Sequence, residues 1–233
     1  MRTYYYFSNF SYPIQVTEST VELTRYTFGY DGLLWENKAL FQFYSQISKN
    51  EKYNIVDIGA QSGLYSLYAK YLPQSTFYAF EPFPTTFRLL NDNIQLNNIE
   101  NVKTFNIALS NESGEKILNT CKSHNGLHTL GENPLRFNDV EPIPVICDTL
   151  DNLFYSKNIP VHYIKIDTEG YEYYILQGGV QTLKQYRPII QLEWSEINMK
   201  QANVLPQMLL DFFRDLNYIK VSQQDEEHLF VPL

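Results

Sequence analysis

The sequence has little sulfur, no long apolar run and no basic cluster. Its two cysteines, Cys121 and Cys147, form neither a disulfide framework nor a metal-ligand spacing. Free thiols in a reducing, cytoplasmic compartment are therefore expected. No hydrophobic stretch approaches the ~20 residues needed to span a bilayer, so no membrane partner is expected. The opening residues, Met1-Arg2-Thr3-Tyr4-Tyr5-Tyr6-Phe7, lack the aliphatic core and small-residue cleavage site of a signal peptide. On that reading the sequons at Asn9 and Asn111 carry no glycan. Lys and Arg never run beyond a pair, and the net charge is −8. A nucleic-acid backbone as main partner calls for a basic face, and none is evident. Prolines and glycines are scattered, which excludes a low-complexity linker.

Hydrophobic residues make up 44% and charged residues 19% of the 233-residue chain, the balance of a globular protein. The length fits one large domain with an extension. From Asn54 onward the pattern alternates between short apolar runs and helical spacing. Asn54 to Ile58 reads as a buried strand, Leu64 to Leu72 as a helix, and Thr76 to Phe80 as a second strand. Pro84 opens a helix to about Asn97, since proline suits the first helical turn. Val102 to Ile107 is a third strand. Strand–helix–strand–helix–strand with short connections predicts a doubly wound, mostly parallel α/β sheet. Val161 to Ile166 and Ile189 to Leu192 continue it, with a helix from Tyr171 to Gln177 between them. An amphipathic helix over Leu205 to Leu216 follows, with Asn203 as its expected cap. Tyr218 to Val221 and His228 to Val231 predict a closing antiparallel pair. Residues 1–50 form an N-terminal extension or cap with two strands and a helix over Leu33 to Ile47. Residues 51–233 form the main domain, with a β-rich or irregular insertion at about 111–144.

The first strand ends in Asp57-Ile58-Gly59-Ala60-Gln61-Ser62-Gly63. A glycine-rich turn there lets backbone approach a nucleotide. Glu81 ends the second strand, at about the distance where doubly wound folds place the acid that bonds ribose hydroxyls. The dinucleotide fingerprint needs glycine at its second position for the pyrophosphate. Gln61 stands there instead, so the pattern favours S-adenosyl-L-methionine (SAM), which carries no phosphate. Asp57 would supply a negative field for its ammonium group. In the second half, Asp167 sits at the tip of the fourth strand, Glu169 on the loop beyond it and Glu193 at the tip of the fifth. A competing reading makes Glu169 only a cap for the Tyr171 helix.

These segments resemble the FkbM family of SAM-dependent methyltransferases. The resemblance is carried by Asp57 to Ser66, Ala79 to Pro84, Asn106 to Ser110, Asp148 to Asp151, Ile164 to Glu172, and Pro188 to Glu193. It implies a class I SAM-methyltransferase fold, Rossmann-like, in which Asp57, Gly59, Gly63 and Glu81 bind SAM together with the Ala60–Gln61 loop. It places Asn106 and Ala108 near the adenine. Family members typically methylate hydroxyls of sugars or polyketide-type small molecules. Gln61 departs from the usual Asn.

Methyl transfer to oxygen needs alignment and a place for the proton. Candidate bases are Asp167, Glu169, Glu193 and His128. A divalent metal on Asp167 and Glu193 is compatible with the oxygen preference of hard cations, but no spacing requires one. His124 and His128 have i, i+4 spacing, yet Asn125-Gly126 between them argues against a helical metal pair. The expected activity is O-methylation of a small molecule or glycan, with a sugar as the leading acceptor. The alternatives are a non-catalytic SAM-fold interaction subunit and an NAD-dependent sugar oxidoreductase. The insertion is expected to be a lid that bears the acceptor site and is separable from SAM binding. The tyrosine-rich residues 1–50 would either stack on sugar rings or form a homodimer contact.

Overall fold

The computed structural model describes residues 51–123, 126–134, 136, 138–224 and 226–233, together with the backbone of two short N-terminal strands. Those strands, β1 (Thr3–Tyr5) and β2 (Ile14–Val16), pair antiparallel. The helix expected over Leu33 to Ile47 lies outside the described residues.

The core is a seven-stranded sheet. Its members are β3 (Asn54–Ile58), β4 (Thr76–Phe80), β5 (Val102–Phe105), β9 (Tyr163–Ile166), β10 (Ile189–Glu193), β11 (Tyr218–Gln224) and β12 (Glu227–Pro232). They lie in the order β11-β12-β10-β9-β3-β4-β5. β5, β4, β3, β9 and β10 are mutually parallel, while β12 runs antiparallel to both β10 and β11. The central strands are apolar on both faces because both are covered. Ile55, Val56, Ile58, Ile164, Ile166, Ile190 and Leu192 are all buried.

The layers over the sheet follow from local chemistry. Helix α1 (Pro84–Leu96) starts with proline in its first turn and buries Leu90 and Ile94. The helix expected after Gly63 is a tighter 3-10 turn over Ser66–Tyr71. Two short helices, α2 (Glu172–Gln177) and α3 (Val180–Tyr186), flank Gly178-Gly179. The sequence reading stopped at those glycines and missed α3. It also missed α4 (Glu196–Gln201). Helix α5 (Pro206–Asp215) buries Leu209 and Phe213, and the Phe213 ring stacks on Phe230 at 3.7 Å. Asn203 does not cap α5, whose N-cap is Leu205. Asn203 instead follows the C-cap of α4 with φ of 57°, the left-handed position where helices commonly end.

The insertion takes the β-rich form of the expectation, an antiparallel strand pair. β7 (Gly114–Cys121) and β8 (Val140–Asp148) pair antiparallel, and β6 (Ala108–Leu109) adds to β8 in parallel. Ala108, Leu118, Val145 and Cys147 form a small core of their own, against which Phe83 and Leu130 pack. Cys121 and Cys147 are both free and buried. No helix among the described residues is long and apolar enough to cross a membrane.

Candidate functional site

Strand order reverses between β3 and β9, and doubly wound sheets bind ligands beyond the carboxyl ends of such strands. The loop after β3 lies there. Gly59 has φ of 75°, and a Cβ on it would fall 1.8 Å from the Asp167 carbonyl oxygen. Only glycine lets β3 and β9 approach so closely at their tips. Gln61, with φ of 51°, donates its backbone N–H to Glu81 Oε2 at 2.9 Å. Glu81 Oε1 accepts the Phe83 N–H at 2.8 Å and the Thr86 hydroxyl at 2.9 Å. Burial pushes the Glu81 carboxyl up to about 6, opposed by these same donors. Oε2 thus has one protein donor and room for another.

Beyond this loop opens a cavity of about 510 Å³, within the size range of small-molecule sites. Its wall includes Gln61, Glu81, Pro82, Ile107, Ala108 and His128, together with the acids Asp167, Glu169, Glu193, Glu226 and Glu227.

Among these acids, Asp167 accepts Lys165 Nζ on Oδ2 at 3.1 Å, and that Nζ lies 4.5 Å from the centre of the Tyr65 ring. Arg136, from the insertion, pairs with Glu169 Oε2 at 3.0 Å. Asn198 Nδ2 donates to Glu169 Oε2 at 2.8 Å and to Glu193 Oε2 at 3.2 Å. Glu227, directly across β10–β12 from Glu193, accepts from Gln191 Nε2 at 2.9 Å. Burial and mutual repulsion push Glu169, Glu193 and Glu227 toward their protonated forms. Glu169 rises to about 8, by burial and by Asp167, against the pull of Arg136. Glu193 rises well above the carboxylate range through burial and the Glu169 and Asp167 charges. Glu227 rises to about 7, chiefly by burial.

Oxygens of Asp167, Glu169 and Glu193 lie within 4.8 Å of one another. Two of the three carboxylates already have cationic partners, Lys165 and Arg136. The set is therefore a poor match for a dication, which would have to displace or repel both.

The sequence-derived residues divide into those that line the cavity and those that support it. Gly59, Ala60, Gln61, Glu81, Ala108, His128, Asp167, Glu169 and Glu193 line it. Asp57 does not. It is buried beneath the loop, with Oδ2 accepting the Ser66 hydroxyl at 2.6 Å and Oδ1 without a partner. It shapes the turn from below. Gly63 packs against Leu90. Asn106 points its amide at the carbonyls of Glu81 and Pro82, 2.8 and 2.9 Å away, and leaves the cavity wall to Ile107 and Ala108. His128 Nδ1 accepts the Cys121 N–H at 3.1 Å, so the neutral ring carries its proton on Nε2. Burial holds its pKa down, to about 4. With Nδ1 occupied, His128 is placed as a donor and not as the expected base. Its ring meets Phe83 edge-on at 4.3 Å.

Glu169 does not cap the following helix, whose N-cap is Tyr171 with no side-chain cap bond. Oε1 of Glu172 accepts the Thr168 and Gly170 N–H groups at 2.9 and 3.2 Å and so braces the loop that carries Glu169. Sequence reasoning missed Lys165, Arg136, Asn198, Glu226 and Glu227. Lys165 was visible as a charge inside an apolar strand, a position that demands a partner.

This geometry places an acid-tipped glycine loop and a carboxylate cluster in one cavity at the switch point. The sequence matches the family described as Methyltransferase FkbM domain over residues 57–220. The chain belongs to the FkbM methyltransferase domain family. The matched span holds every cavity-lining residue except Glu226 and Glu227. The fold is that of class I SAM methyltransferases, with the antiparallel C-terminal strand β12 inserted between β10 and β11. Among solved structures, the FkbM methyltransferase of Methylobacillus flagellatus KT superposes with a TM-score of 0.52 at 12% identity. That match covers 81% of this chain and 46% of the other. Methyltransferase 1 of Beauveria bassiana (strain ARSEF 2860) is 29% identical, over 53% of this chain and 57% of its own length. Methyltransferase sdnD of Sordaria araneosa is 30% identical, over 53% of this chain and 59% of its own length. The match to this chain thus spans little more than half the length of these two relatives.

Proposed function

We propose that this FkbM domain transfers the methyl group of SAM to a hydroxyl of a small molecule or glycan, with a sugar as the leading acceptor class. The observation that carries the reading is one cavity lined both by Glu81, a nearly buried carboxylate bonded to the glycine loop, and by the cluster of Asp167, Glu169 and Glu193. An acid beside such a loop suits ribose hydroxyls.

The residues fit such a cofactor. Glu81 Oε2 retains acceptor capacity toward the cavity, and Ile107, Leu118 and Leu130 supply apolar wall beside it. The acidic cluster suits a ligand with positive charge. When bound, SAM supplies a methyl group already activated on a sulfonium. The protein then has to align the acceptor, exclude water and take up a proton. Glu169 is the group assigned to the proton. A base works best with a pKa near the operating pH, and the Glu169 carboxyl lies near 8. Such a base matters for a hydroxyl acceptor, which must lose its proton as it attacks. Asp167 and Glu193 set the field around it, and Lys165 compensates Asp167.

The test is a SAM-consumption assay across nucleotide sugars, free glycosides and glycans, with mass spectrometry for a gain of one methyl. Methylated product on a hydroxyl supports the reading. Methyl gain only on amines would reassign the acceptor.

A further inference from the structure

The Arg136–Glu169 pair joins the insertion to the loop after β9, and its role goes beyond the proposed reaction while resting on Glu169 as the proton acceptor. Glu169 is held in an imposed geometry. Its φ is 56°, uncommon for a residue other than glycine and typical of sites where function dictates backbone. Its carbonyl oxygen accepts the Thr129 hydroxyl at 2.9 Å. Oε2 of its carboxylate accepts Arg136 Nη1 at 3.0 Å and Asn198 Nδ2 at 2.8 Å. The same Arg136 nitrogen also donates to Asn198 Oδ1 at 3.2 Å, so three side chains from three parts of the chain close a ring. The neighbouring Gly170 makes this possible. Its φ is 103°, and a Cβ there would lie 2.0 Å from the Asn198 carbonyl oxygen. Oε1 of Glu169 accepts no hydrogen bond from the described residues, and Glu169 lines the cavity.

We propose that Arg136 is a positioning residue: by pinning Oε2 it presents Oε1 of Glu169 to the cavity and makes that carboxylate easier to ionise than its acidic neighbours alone would allow.

The surroundings of Glu169 explain why a cation is needed. Asp167 and Glu172 lie on its own loop and the following helix, Glu193 at the end of β10, and Glu226 in the β11–β12 turn. All of them favour its protonated form. Lys165 is paired with Asp167, and Asn198 is neutral. Arg136 is the one cation among the described residues that pairs with Glu169 directly. An opposite charge at this range lowers a carboxyl pKa by about 1–3 pH units. The guanidinium is 39% exposed, so the pair adds little to fold stability, and its effect falls on the proton equilibrium of Glu169. Since Arg136 belongs to the hairpin that walls the cavity, assembly of that wall and readiness of the base become one event.

The experiment is a ¹³C-carboxyl NMR titration of the full chain labelled on glutamate, with the Glu169 signal assigned by its loss in Glu169→Gln. Wild type, Arg136→Ala, Arg136→Gln and Arg136→Lys are titrated, and S-adenosylhomocysteine binding by calorimetry is measured on each. Arg136→Ala and Arg136→Gln should raise the Glu169 midpoint by about one pH unit or more. Arg136→Lys should restore much of the difference, with S-adenosylhomocysteine affinity changed less than about threefold. An unchanged midpoint in both neutral variants, with S-adenosylhomocysteine still bound, overturns the positioning role. A moved midpoint with undiminished methyl transfer in Glu169→Gln overturns instead the assignment of Glu169 as base, and with it the catalytic purpose of Arg136.

Discussion

The backbone N–H of Gln61 donates to the Glu81 carboxylate at 2.9 Å, so the loop after β3 and the acid at the tip of β4 form a single edge. The carboxylate organises the loop and, on the proposed reading, also accepts from the cofactor. Glu81→Ala should therefore weaken S-adenosylhomocysteine binding about tenfold or more, the cost of losing a charged hydrogen-bond partner. Glu81→Gln, which keeps the shape, should fall between. Calorimetric titration of both variants, with circular dichroism to confirm folding, measures this. Unchanged affinity in a folded Glu81→Ala protein would remove Glu81 from the site.

Gly59 sets how close β3 and β9 come at their tips. A methyl at this position meets the Asp167 carbonyl oxygen at 1.8 Å and requires a backbone with φ of 75°. Gly59→Ala should destabilise the protein by about 2 kcal/mol or more through overpacking and left-handed strain. It should also displace Asp167. Urea unfolding of wild type and variant checks the first expectation. Equal midpoints would mean that the loop can relax without cost.

Turnover and cofactor affinity should separate at the acidic cluster. Glu169→Gln should lower turnover by about a hundredfold or more, the usual scale for a positioned base, with S-adenosylhomocysteine affinity within about threefold. Asp167→Asn removes the carboxylate that pairs with the buried ammonium of Lys165, so it should lower thermal stability as well as turnover. Single-turnover methyl transfer at saturating SAM, once an acceptor is in hand, decides between them. Weakened cofactor binding with normal turnover would move either residue to the cofactor shell.

Stability should depend on pH in a definite direction. Burial raises Glu81 to about 6, Glu227 to about 7 and Glu169 to about 8, above the ~4.3 of an unfolded chain. Between those values the native state binds more protons than the unfolded one. Stability contributed by these groups is thus fully present below about pH 4 and is lost as pH rises toward 8. The ligand-free melting temperature should fall by several degrees from pH 5.5 to 8. S-adenosylhomocysteine should raise it at every pH. A melting temperature that climbs across this range would show that the acids are ionised and well paired in the folded protein.

Much of the fold was legible because its central strands are short, apolar and closed by acids or glycines. Asn54–Ile58, Thr76–Phe80 and Ile189–Glu193 form as their sequences predict, and Glu81, Asp167 and Glu193 lie at strand tips where the pattern put them. Short helices were harder to see. α3 and α4 carry too few turns for a clear period, and Gly178-Gly179 resembles a full stop when it is only a joint between two helices. The acidic cluster was legible in part. Glu193 and Glu227 face each other only because β12 runs antiparallel to β10, a register that linear spacing does not contain. The insertion was expected as a separable lid. Its strands instead contribute Leu118, and its turn His128 and Leu130, to the same wall as Glu81 and Ala108. Removing it would take away part of the wall around both Glu81 and Glu169.

The central claim is that the cavity beside Glu81 receives SAM. Calorimetric titration of the full chain with S-adenosylhomocysteine, and separately with NADH, tests it most directly. The account predicts saturable binding of S-adenosylhomocysteine at one site per chain, weakened about tenfold in Glu81→Ala, and no binding of NADH, because Gln61 occupies the position where a pyrophosphate needs glycine. Saturable NADH binding with no response to S-adenosylhomocysteine would contradict it.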